Sequence, residues 1–395
     1  MRILMTSYEF PPIGGGGAAV VAGLSRQLVA DGHEVDLVTM GFQDFPRHEV
    51  VDGVHVHRVP CLRKAKHNCA SHEAFTYVAG AMPTILRLLG KFRYDIAHAH
   101  FILPDGLLAW QIKRYSGLPY VITAHGSDVP GYNPHRLQVA HQLVRPVWKA
   151  VVEGASRIIC PSEVLRSLVI DQKPGPDKTV VIPNGLQVGE YTPRTDNTSI
   201  LVVTRMLERK GVQYVLDALA TTPVAPEVHI VGDGPYLPEL RRKAEALRST
   251  AKFWGWLDNR SPQLREIYES GAIFVFPSEA ENFPIVLLEA MAAGLAIITT
   301  AGTGCAEVVG DAGLLVPVRD SRAIGGAIKR LVDDPELRRT LGAAARRRVE
   351  ENFTWSAVAR HYVEEYERHG RSSDAFKLRV SQDAIAVQPT ASTPS

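Results

Sequence analysis

The chain has 395 residues, which is more than one ordinary domain contains and fits two. Apolar residues make up 45% and charged residues 22%, and these values exclude a disordered or fibrous chain. The 44 basic and 42 acidic side chains give a formal net charge of +2, whereas a dedicated nucleic-acid-binding protein is usually far more basic.

Strands and helices are predicted to alternate through the first half of the chain. Near-continuous apolar runs are typical of strands covered on both faces, and apolar residues at helical spacing mark the segments between them. The predicted strands are 2–6, 35–40, 96–99, 120–123, 157–160 and 180–182, and the predicted helices include 20–28, 106–115 and 163–170. This alternation predicts a parallel sheet with helices on both sides.

The same alternation begins again near residue 199. The predicted strands here are 200–203, 228–231, 273–276 and 296–299, and the predicted helices are 212–219, 237–247 and 285–293. We therefore predict an α/β protein with two doubly wound domains, residues 1–186 and 199–350, joined by a polar linker at 187–198.

The end of the chain carries two further features. Asp334 followed by Pro335 is a typical helix start, because Asp caps free N–H groups and Pro suits the first helical turn. Another helix is expected within residues 351–370. Residues 371–395 are poor in large apolar side chains and are predicted to be a disordered tail.

The sequence predicts neither a membrane span nor a zinc or redox site. No apolar run approaches the roughly 20 residues that cross a bilayer, and the apolar part of the N-terminus is too short for a signal peptide. The four cysteines, Cys61, Cys69, Cys160 and Cys305, include no pair with Cys-x-x-Cys spacing. We expect a reduced protein of the cytoplasm.

Four glycines, Gly14 to Gly17, lie between the first predicted strand and the first predicted helix. Glycines let the backbone approach a ligand closely, and the helix N-terminus offers free N–H groups. The letters also fit a dinucleotide-binding pattern, but residues 8–13 make the turn too long, and the end of the second strand, Thr39-Met40-Gly41, has no acid placed for a ribose. An anion or sugar contact is thus favoured over a dehydrogenase, and a flexible turn is the alternative.

Histidines follow two predicted strands of the first half. His125 and Asp128 come after the strand at 120–123, where ligands of open α/β sheets bind. The alternative is a histidine with internal partners and an aspartate that caps a local turn. His98 and His100 form another pair, and a metal site is not expected there because no third ligand is evident.

Basic residues follow the first strand of the second half. Arg205, Arg209 and Lys210 suit a diphosphate, because arginine binds phosphate oxygens with paired hydrogen bonds and lysine acts as a point charge. The alternative is a solvated basic turn in which Glu208 neutralises one cation. Gly232 belongs to a second glycine-rich strand end that could face a nucleotide.

Two acidic residues flank the start of the helix predicted at 285–293. Glu281 precedes this helix, Glu289 lies about one turn into it, and free N–H groups are expected around Phe283 and Ile285. These groups suit a sugar or phosphate ligand. An exposed helix residue is the alternative for Glu289, although its apolar neighbours disfavour an unpaired charge.

Together these motifs resemble the retaining glycosyltransferases of family four, also called group 1. The resemblance covers residues 1 to about 367 and implies a GT-B fold, in which two Rossmann-like domains face an interdomain cleft. The matching segments, in the family's order, are Pro11-Pro12 with Gly15-Gly16, Gly32-His33-Glu34-Val35, Ala97-His98-Ala99-His100, Thr123-Ala124-His125-Gly126, Ile182-Pro183-Asn184-Gly185, Arg205 with Lys210-Gly211, Val231-Gly232-Asp233-Gly234-Pro235, Glu281 with Glu289, and Ala290-Met291-Ala292-Ala293-Gly294.

The resemblance also implies roles for residues. The first domain would take the acceptor and the second the nucleotide sugar, and the helix at 351–370 would return toward the first domain. Arg205 and Lys210 would hold the donor diphosphate, Glu281 would contact the transferred sugar, and His125 would lie beside the reaction centre. The donor-binding positions implied are Gly15, Gly16, Asp128, Gly232, Trp256 near the base, Asn282, Phe283, Pro284, Ile285, and Glu289 at the ribose.

The chain departs from the family pattern at the first glutamate. The family often has Glu-Gly-Phe-Gly there, whereas this chain has Glu281-Asn282-Phe283-Pro284. Asn282 lacks the conformational freedom of glycine, and Pro284 has no N–H to donate. The chain also has no Asp-x-Asp pair to hold a metal on the diphosphate. We therefore expect no metal and no cofactor other than the nucleotide-diphosphate sugar as co-substrate.

The resemblance implies a retaining hexosyltransferase that moves a sugar from a nucleotide-diphosphate sugar to a hydroxyl of a glycan, a lipid-linked acceptor or a small molecule, in cell-envelope or polysaccharide biosynthesis. A nucleotide-sugar epimerase of similar fold and a noncatalytic nucleotide-sugar-binding protein are the alternatives. The donor sugar, the base and the acceptor are left open.

Peripheral contact with the inner face of a membrane is a separate expectation. A basic, amphipathic face of the first domain could lie on an anionic bilayer. The alternative is a helix packed on the core with a solvated basic edge. The basic residues concerned are Arg63, Lys64, Lys66, Arg87, Lys91 and Arg93.

Overall fold

The structure is a computed structural model that describes residues 1–66, 69–132, 138–172, 175–192, 199–222, 226–258 and 261–371. The strands are β1 (Arg2–Thr6), β2 (Glu34–Met40), β3 (His48–Val51), β4 (Val54–Val59), β5 (Ile96–His100), β6 (Tyr120–Thr123), β7 (Arg157–Cys160), β8 (Thr179–Val181), β9 (Ile200–Val203), β10 (Val228–Val231), β11 (Lys252–Gly255), β12 (Ile273–Phe276), β13 (Ala296–Thr300) and β14 (Gly313–Val316).

Helices lie between these strands. They are α1 (Gly16–Ala30), α2 (Ser71–Lys91), α3 (Asp105–Ser116), α4 (Gln138–Gly154), α5 (Glu163–Asp171), α6 (Val212–Thr221), α7 (Leu237–Ala246), α8 (Pro262–Glu269), α9 (Ile285–Ala292), α10 (Gly304–Val309), α11 (Ser321–Asp333), α12 (Pro335–Asn352) and α13 (Trp355–His369). Short 3-10 turns cover Pro176–Lys178, Val188–Glu190 and Glu208–Lys210.

The described strands form two sheets. The first has the order β3-β4-β2-β1-β5-β6-β7-β8 and is parallel except for the β3–β4 pair. The second has the order β11-β10-β9-β12-β13-β14 and is parallel throughout. Each sheet has apolar clusters on both faces, as parallel sheets require. The predicted fold class, two doubly wound α/β domains, is confirmed.

Each strand predicted from an apolar run is present, with ends that differ by at most one residue. The strands β3, β4, β11 and β14 were not predicted. The predicted start of α12 is also present, since the carboxylate of Asp334 accepts the N–H of Leu337 at 2.9 Å. Part of the predicted linker, 193–198, and nearly all of the predicted tail, 372–395, lie outside the described residues.

The last helix packs against the first sheet rather than the second. In α13 the Tyr366 hydroxyl lies 2.7 Å from Nδ1 of His98 in β5, and the Tyr362 hydroxyl accepts a hydrogen bond from Thr123 in β6 at 3.4 Å. The buried ring of Trp355 covers Gly23 in α1. The chain therefore passes between the two halves twice, first between β8 and β9 and again between α12 and α13.

Candidate active site

The candidate residues follow strands of both sheets. His125 comes after β6, Arg205 and Lys210 come after β9, and Glu281 comes between β12 and α9. The carboxyl ends of parallel strands share one edge of a sheet, so each half presents its polar loops along one edge. Contacts between these loops show that the two edges face each other across an interdomain cleft.

Lys210 and Glu281 form an ion pair at the floor of the second half. Their side chains are only 12% and 9% exposed, so water screens the pair weakly. The Ser278 hydroxyl donates to the same carboxylate at 2.8 Å, and the Lys210 ammonium lies 5.5 Å from the centre of the Phe276 ring. The structure thus brings a predicted cation and a predicted acid together.

Arg205 is exposed, and its charge acts to lower the pKa of Glu9, a residue of the opposite half. Burial raises the pKa of Glu9, while the cations of Arg63 and Arg205 and the N–H of Gly15 oppose that rise. The Gly15 N–H donates to Glu9 Oε2 at 3.3 Å. Arg205 of the second half is therefore near enough to act on Glu9, which is hydrogen-bonded to the glycine loop of the first half.

The third cation of the basic turn has an internal role. The Arg209 guanidinium donates to the carbonyl of Ala280 at 3.1 Å, and its own carbonyl accepts the N–H of Glu279 at 2.9 Å. Arg209 thereby ties the basic turn to the segment before Glu281. Arg205 and Lys210 are the cations of this turn that face the cleft carboxylates.

Glu289 is half-buried and hydrogen-bonded, so the exposed-residue alternative does not hold. The Tyr268 hydroxyl donates to Glu289 Oε2 at 2.8 Å. Tyr268 is fully buried, and burial together with the charge of Glu289 raises the pKa of its hydroxyl. Tyr268 in α8 therefore fixes the orientation of the Glu289 carboxylate in α9.

The segment between Glu281 and α9 is buried at Asn282 and Phe283. Pro284 is the cap residue of α9, which begins at Ile285. The Asn282 side chain and the Phe283 carbonyl are hydrogen-bonded to residues of the first half.

His125 lies in a row of neutral histidines. Its Nε2 lies 3.2 Å from Nδ1 of His100, and the ring of Phe101 packs against it with centroids 4.3 Å apart. Burial lowers the pKa of His125 to about 3, so the imidazole is uncharged at neutral pH. Within the described part of the chain, no group of three or more metal-ligating side chains is placed to hold an ion.

Asp128 shapes the loop that carries His125. Its carboxylate accepts the N–H of Ile102 at 2.7 Å and the N–H of His125 at 3.0 Å. Both oxygens are therefore engaged by backbone amides. The local-turn interpretation of Asp128 describes this geometry, and a direct contact with the donor remains a prediction.

The predicted glycine positions differ in their surroundings. A Cβ on Gly15 or Gly16 would meet nothing within 4 Å, so this loop presents backbone to open space. Gly232 has a φ of +131°, and a Cβ there would collide with the carbonyl of Thr204. Only glycine fits that position. Trp256 follows β11 and is 56% exposed.

Four residues that line this region were not predicted: Glu9, Tyr132, Ser162 and Tyr268. Ser162 follows β7, so the strand-end rule that singled out His125 applies to it equally. Glu9 lies in the segment that made the glycine turn too long. Tyr268 reaches the site from a helix, and no local pattern marks it.

One of the six residues in the predicted basic, membrane-facing surface is not exposed. Arg63 is buried, and its guanidinium donates to the carbonyls of Tyr8, Ala65 and Lys66. It is therefore not part of an exposed basic face. Helix α2 packs on the core through its apolar side, and among the described residues no helix combines the length and apolarity needed to span a bilayer.

Comparisons with known protein sequences match both halves of the chain to glycosyltransferases. Residues 14–189 match the sequence family Glycosyltransferase Family 4, and residues 197–334 match Glycosyl transferases group 1. A glycogen synthase of Mycobacterium tuberculosis (strain ATCC 25618 / H37Rv) is 31% identical, over 98% of this chain and 99% of that protein.

Solved structures share the architecture. The sucrose-phosphate synthase of Thermosynechococcus elongatus has a TM-score of 0.80 and 26% identity, with 93% of this chain and 98% of that chain covered. HepE of Anabaena, solved in complex with UDP-glucose, has a TM-score of 0.73 at 18% identity, with 92% and 98% covered. The second likeness shows the fold alone.

Proposed function

Because the chain belongs to the group 1 and family 4 glycosyltransferases and has their GT-B fold, we propose that it transfers a hexose from a nucleotide-diphosphate sugar to a hydroxyl acceptor with retention of the anomeric configuration. The glycosyltransferase family and the GT-B fold expected from the sequence are confirmed. The substrate class, the stereochemistry and the residue roles below are the proposal.

One observation carries the proposal: Arg205 and the Lys210–Glu281 pair follow strands of the second half, and the charge of Arg205 acts on Glu9, which lies beside the glycine loop of the first half. Breaking a sugar–diphosphate bond develops negative charge on the phosphate and positive charge on the sugar. Arg205 and Lys210 would stabilise the first charge, together with the N-terminus of α9. Glu281 would stabilise the second.

The neutral His125 is proposed to hydrogen-bond the transferred sugar rather than to act as a charged acid. For retention, the acceptor hydroxyl would attack from the face that the diphosphate leaves, and the departing phosphate oxygen would take the acceptor proton. Closure of the two halves over the donor would exclude water and limit hydrolysis.

We propose that the reaction needs no metal, because two cationic side chains supply the charge that a divalent ion would provide. A chelator such as EDTA is then expected to leave the rate of transfer unchanged. A rate that falls with EDTA and returns with Mg²⁺ or Mn²⁺ would contradict this part of the proposal.

We also propose a donor side and an acceptor side. The second half would bind the nucleotide, with Glu289 at the ribose and Trp256 near the base, and the first half would bind the acceptor. We propose a cytoplasmic reaction, a location with which the four free cysteines are consistent. We also propose a role in cell-envelope or polysaccharide biosynthesis, as the family resemblance implies. Contact with a membrane remains part of this proposal.

The test begins with a thermal-shift screen against UDP, GDP, ADP and their hexose conjugates, because a ligand of the folded state raises its apparent stability. Transfer from the selected donor is then followed by NMR. We expect Arg205→Ala to lower transfer about 10²- to 10³-fold. Arg242→Ala, at an exposed arginine of α7, is the matched control and should leave transfer unchanged.

Three outcomes would overturn the proposal. Full activity in Arg205→Ala would remove its role at the diphosphate. Turnover of the nucleotide sugar to an epimer without any acceptor would make the protein an epimerase. Tight nucleotide binding with no turnover across a panel of acceptors would make it a binding protein.

A further inference from the structure

We propose that Ser162 and Asn282 form a positioning pair, through which the first half of the chain holds the segment Glu281–Pro284, here called the sugar loop, in its working shape. This inference rests on the proposed function, in which that loop contacts the transferred sugar. It assigns a task to the side chain that departs from the family's glycine.

The pair joins two parts of the chain that are 120 residues apart. The Ser162 hydroxyl donates to Oδ1 of Asn282 at 2.5 Å. Ser162 is fully buried and Asn282 is 6% exposed, so water cannot replace either partner. A buried amide that loses its hydrogen bond is destabilised by the full cost of its desolvation, which gives this contact a large effect on the loop.

Two further side chains of the first half reach the same loop. The Asn184 amide donates to the carbonyl of Phe283 at 3.1 Å. The Tyr132 ring lies over Gly126, with ring atoms 3.0 Å from where a Cβ would stand, and its hydroxyl faces the N–H of Asn282. The sugar loop is thus held from outside its own domain.

The second half confines the loop from behind. A Cβ on Gly304 would collide with the carbonyl of Asn282, so the start of α10 packs directly on the loop backbone. Pro284 fixes its own φ where α9 begins. A loop with glycines at positions 282 and 284 would have more backbone conformational freedom. Here Pro284 restricts the backbone, and the Asn282 side chain contacts the opposite half.

The consequence is a division between nucleotide binding and sugar transfer. The residues proposed for the diphosphate and the ribose, Arg205 and Glu289, belong to the second half and do not contact Ser162. Loss of the Ser162–Asn282 bond would therefore displace the sugar loop while Arg205 and Glu289 keep their places at the nucleotide. It should lower kcat while the affinity for a nucleoside diphosphate stays the same.

The interface supplies a matched control. The Glu307 carboxylate in α10 accepts the N–H groups of Glu163 at 2.7 Å and Val164 at 2.9 Å. Like the positioning pair, this contact joins the start of α5 to the second half, but it does so through α10 and does not involve the side chains that hold the loop. Glu307→Ala removes a link between the halves and leaves the positioning pair in place.

The test compares Ser162→Ala, Ser162→Thr, Asn282→Gly and Glu307→Ala in the full chain. We expect Ser162→Ala and Asn282→Gly each to lower kcat about 5- to 100-fold, with the affinity for the nucleoside diphosphate within about twofold of wild type. The double variant should lose no more than either single variant. Ser162→Thr keeps the hydroxyl and should retain most activity, and Glu307→Ala should keep kcat within about twofold.

The Ser162 hydroxyl also accepts the N–H of Leu165 at 3.1 Å and so caps α5. Ser162→Ala removes this cap, and the variant is therefore expected to be less stable than wild type. Asn282→Gly leaves that cap intact and keeps the test decisive. The positioning pair is overturned if kcat is unchanged in Asn282→Gly, if the two losses add, or if Glu307→Ala lowers kcat equally.

Hydrogen–deuterium exchange separates this inference from the proposed function. Exchange in the sugar loop should be faster in Ser162→Ala and Asn282→Gly than in wild type or Glu307→Ala, whether or not a donor has been identified. If the wild type transfers no sugar, the proposed function fails while this readout still decides the pair. Equal exchange in all variants overturns the pair alone.

Discussion

Replacing Lys210 with alanine should affect stability and activity in ways that a second substitution can separate. The change removes the cation that faces Glu281 and leaves that carboxylate 9% exposed, with Ser278 as a hydrogen-bond donor. Adding Glu281→Gln removes the charge and keeps an oxygen that can accept from Ser278. The double variant should therefore recover stability but not transfer.

The burial of the pair sets the size of the effect. Exposed ion pairs contribute about 0–1 kcal/mol, but removing one partner of a buried pair typically costs about 3–5 kcal/mol. Both side chains are about nine-tenths buried, so the second range applies. For a domain of this size, that loss corresponds to a fall in melting temperature of about 6 to 20 °C. Transfer should fall about 10²- to 10³-fold, because Lys210 is proposed to act on the leaving diphosphate.

The test is a double-mutant cycle on four proteins: wild type, Lys210→Ala, Glu281→Gln and the double variant. Differential scanning fluorimetry measures the melting temperature of each protein, and a transfer assay measures its activity. We expect the double variant to melt within a few degrees of Glu281→Gln and to remain as inactive as Lys210→Ala. Unchanged melting in Lys210→Ala would show that the pair is not stabilising. Recovery of transfer in the double variant would refute a direct role for Lys210 at the diphosphate.

Three more variants or conditions test separate parts of the site. Tyr268→Phe removes the donor to Glu289 and should raise KM for the nucleotide sugar about tenfold at unchanged kcat, and a fall in kcat alone would contradict the ribose role. Glu9→Gln should tighten nucleoside-diphosphate binding about three- to tenfold in calorimetry, because the Glu9 carboxylate competes with phosphate for the cation across the cleft; weaker binding would be evidence for a direct contact instead. Burial lowers the pKa of His98 and of His125 to about 3 in the folded protein, against about 6.5 in the unfolded chain. Between pH 3 and pH 6.5 these two histidines are therefore protonated in the unfolded chain but not in the folded protein. The free energy of unfolding should therefore fall as pH falls from 6.5, by up to about 1.4 kcal/mol per unit for each histidine, and unfolding curves that do not change with pH would contradict this.

The parallel sheets could be predicted from the sequence because their central strands are buried on both faces. Runs such as β9 and β12 are apolar throughout and carry a strong local signal. Strand β3 is short and half-exposed, and β11 begins with an exposed lysine at the edge of its sheet. Such strands form because a neighbouring strand provides hydrogen bonds, and this information is not local.

The candidate site divides in the same way. Arg205, Lys210 and Glu281 could be predicted because each follows a buried strand, and strand ends of such sheets carry the ligand groups. The partners that orient the site could not be predicted. The bond between Ser162 and Asn282 depends on how the two halves pack, and Tyr268 reaches Glu289 from another helix.

In the proposed function, the charges in the cleft would let one site hold a diphosphate and release it. The charge of Arg205 acts on Glu9, which is also 4.0 Å from Arg63, and Glu281 is paired with Lys210, so a carboxylate lies near each of the two cations. A diphosphate bound as proposed would compete with these two acids, which would reduce its net affinity and let the product leave. The same exchange would free Glu281 from Lys210 as the diphosphate takes the lysine, and would thereby turn the carboxylate toward the sugar at the stage when positive charge develops on it.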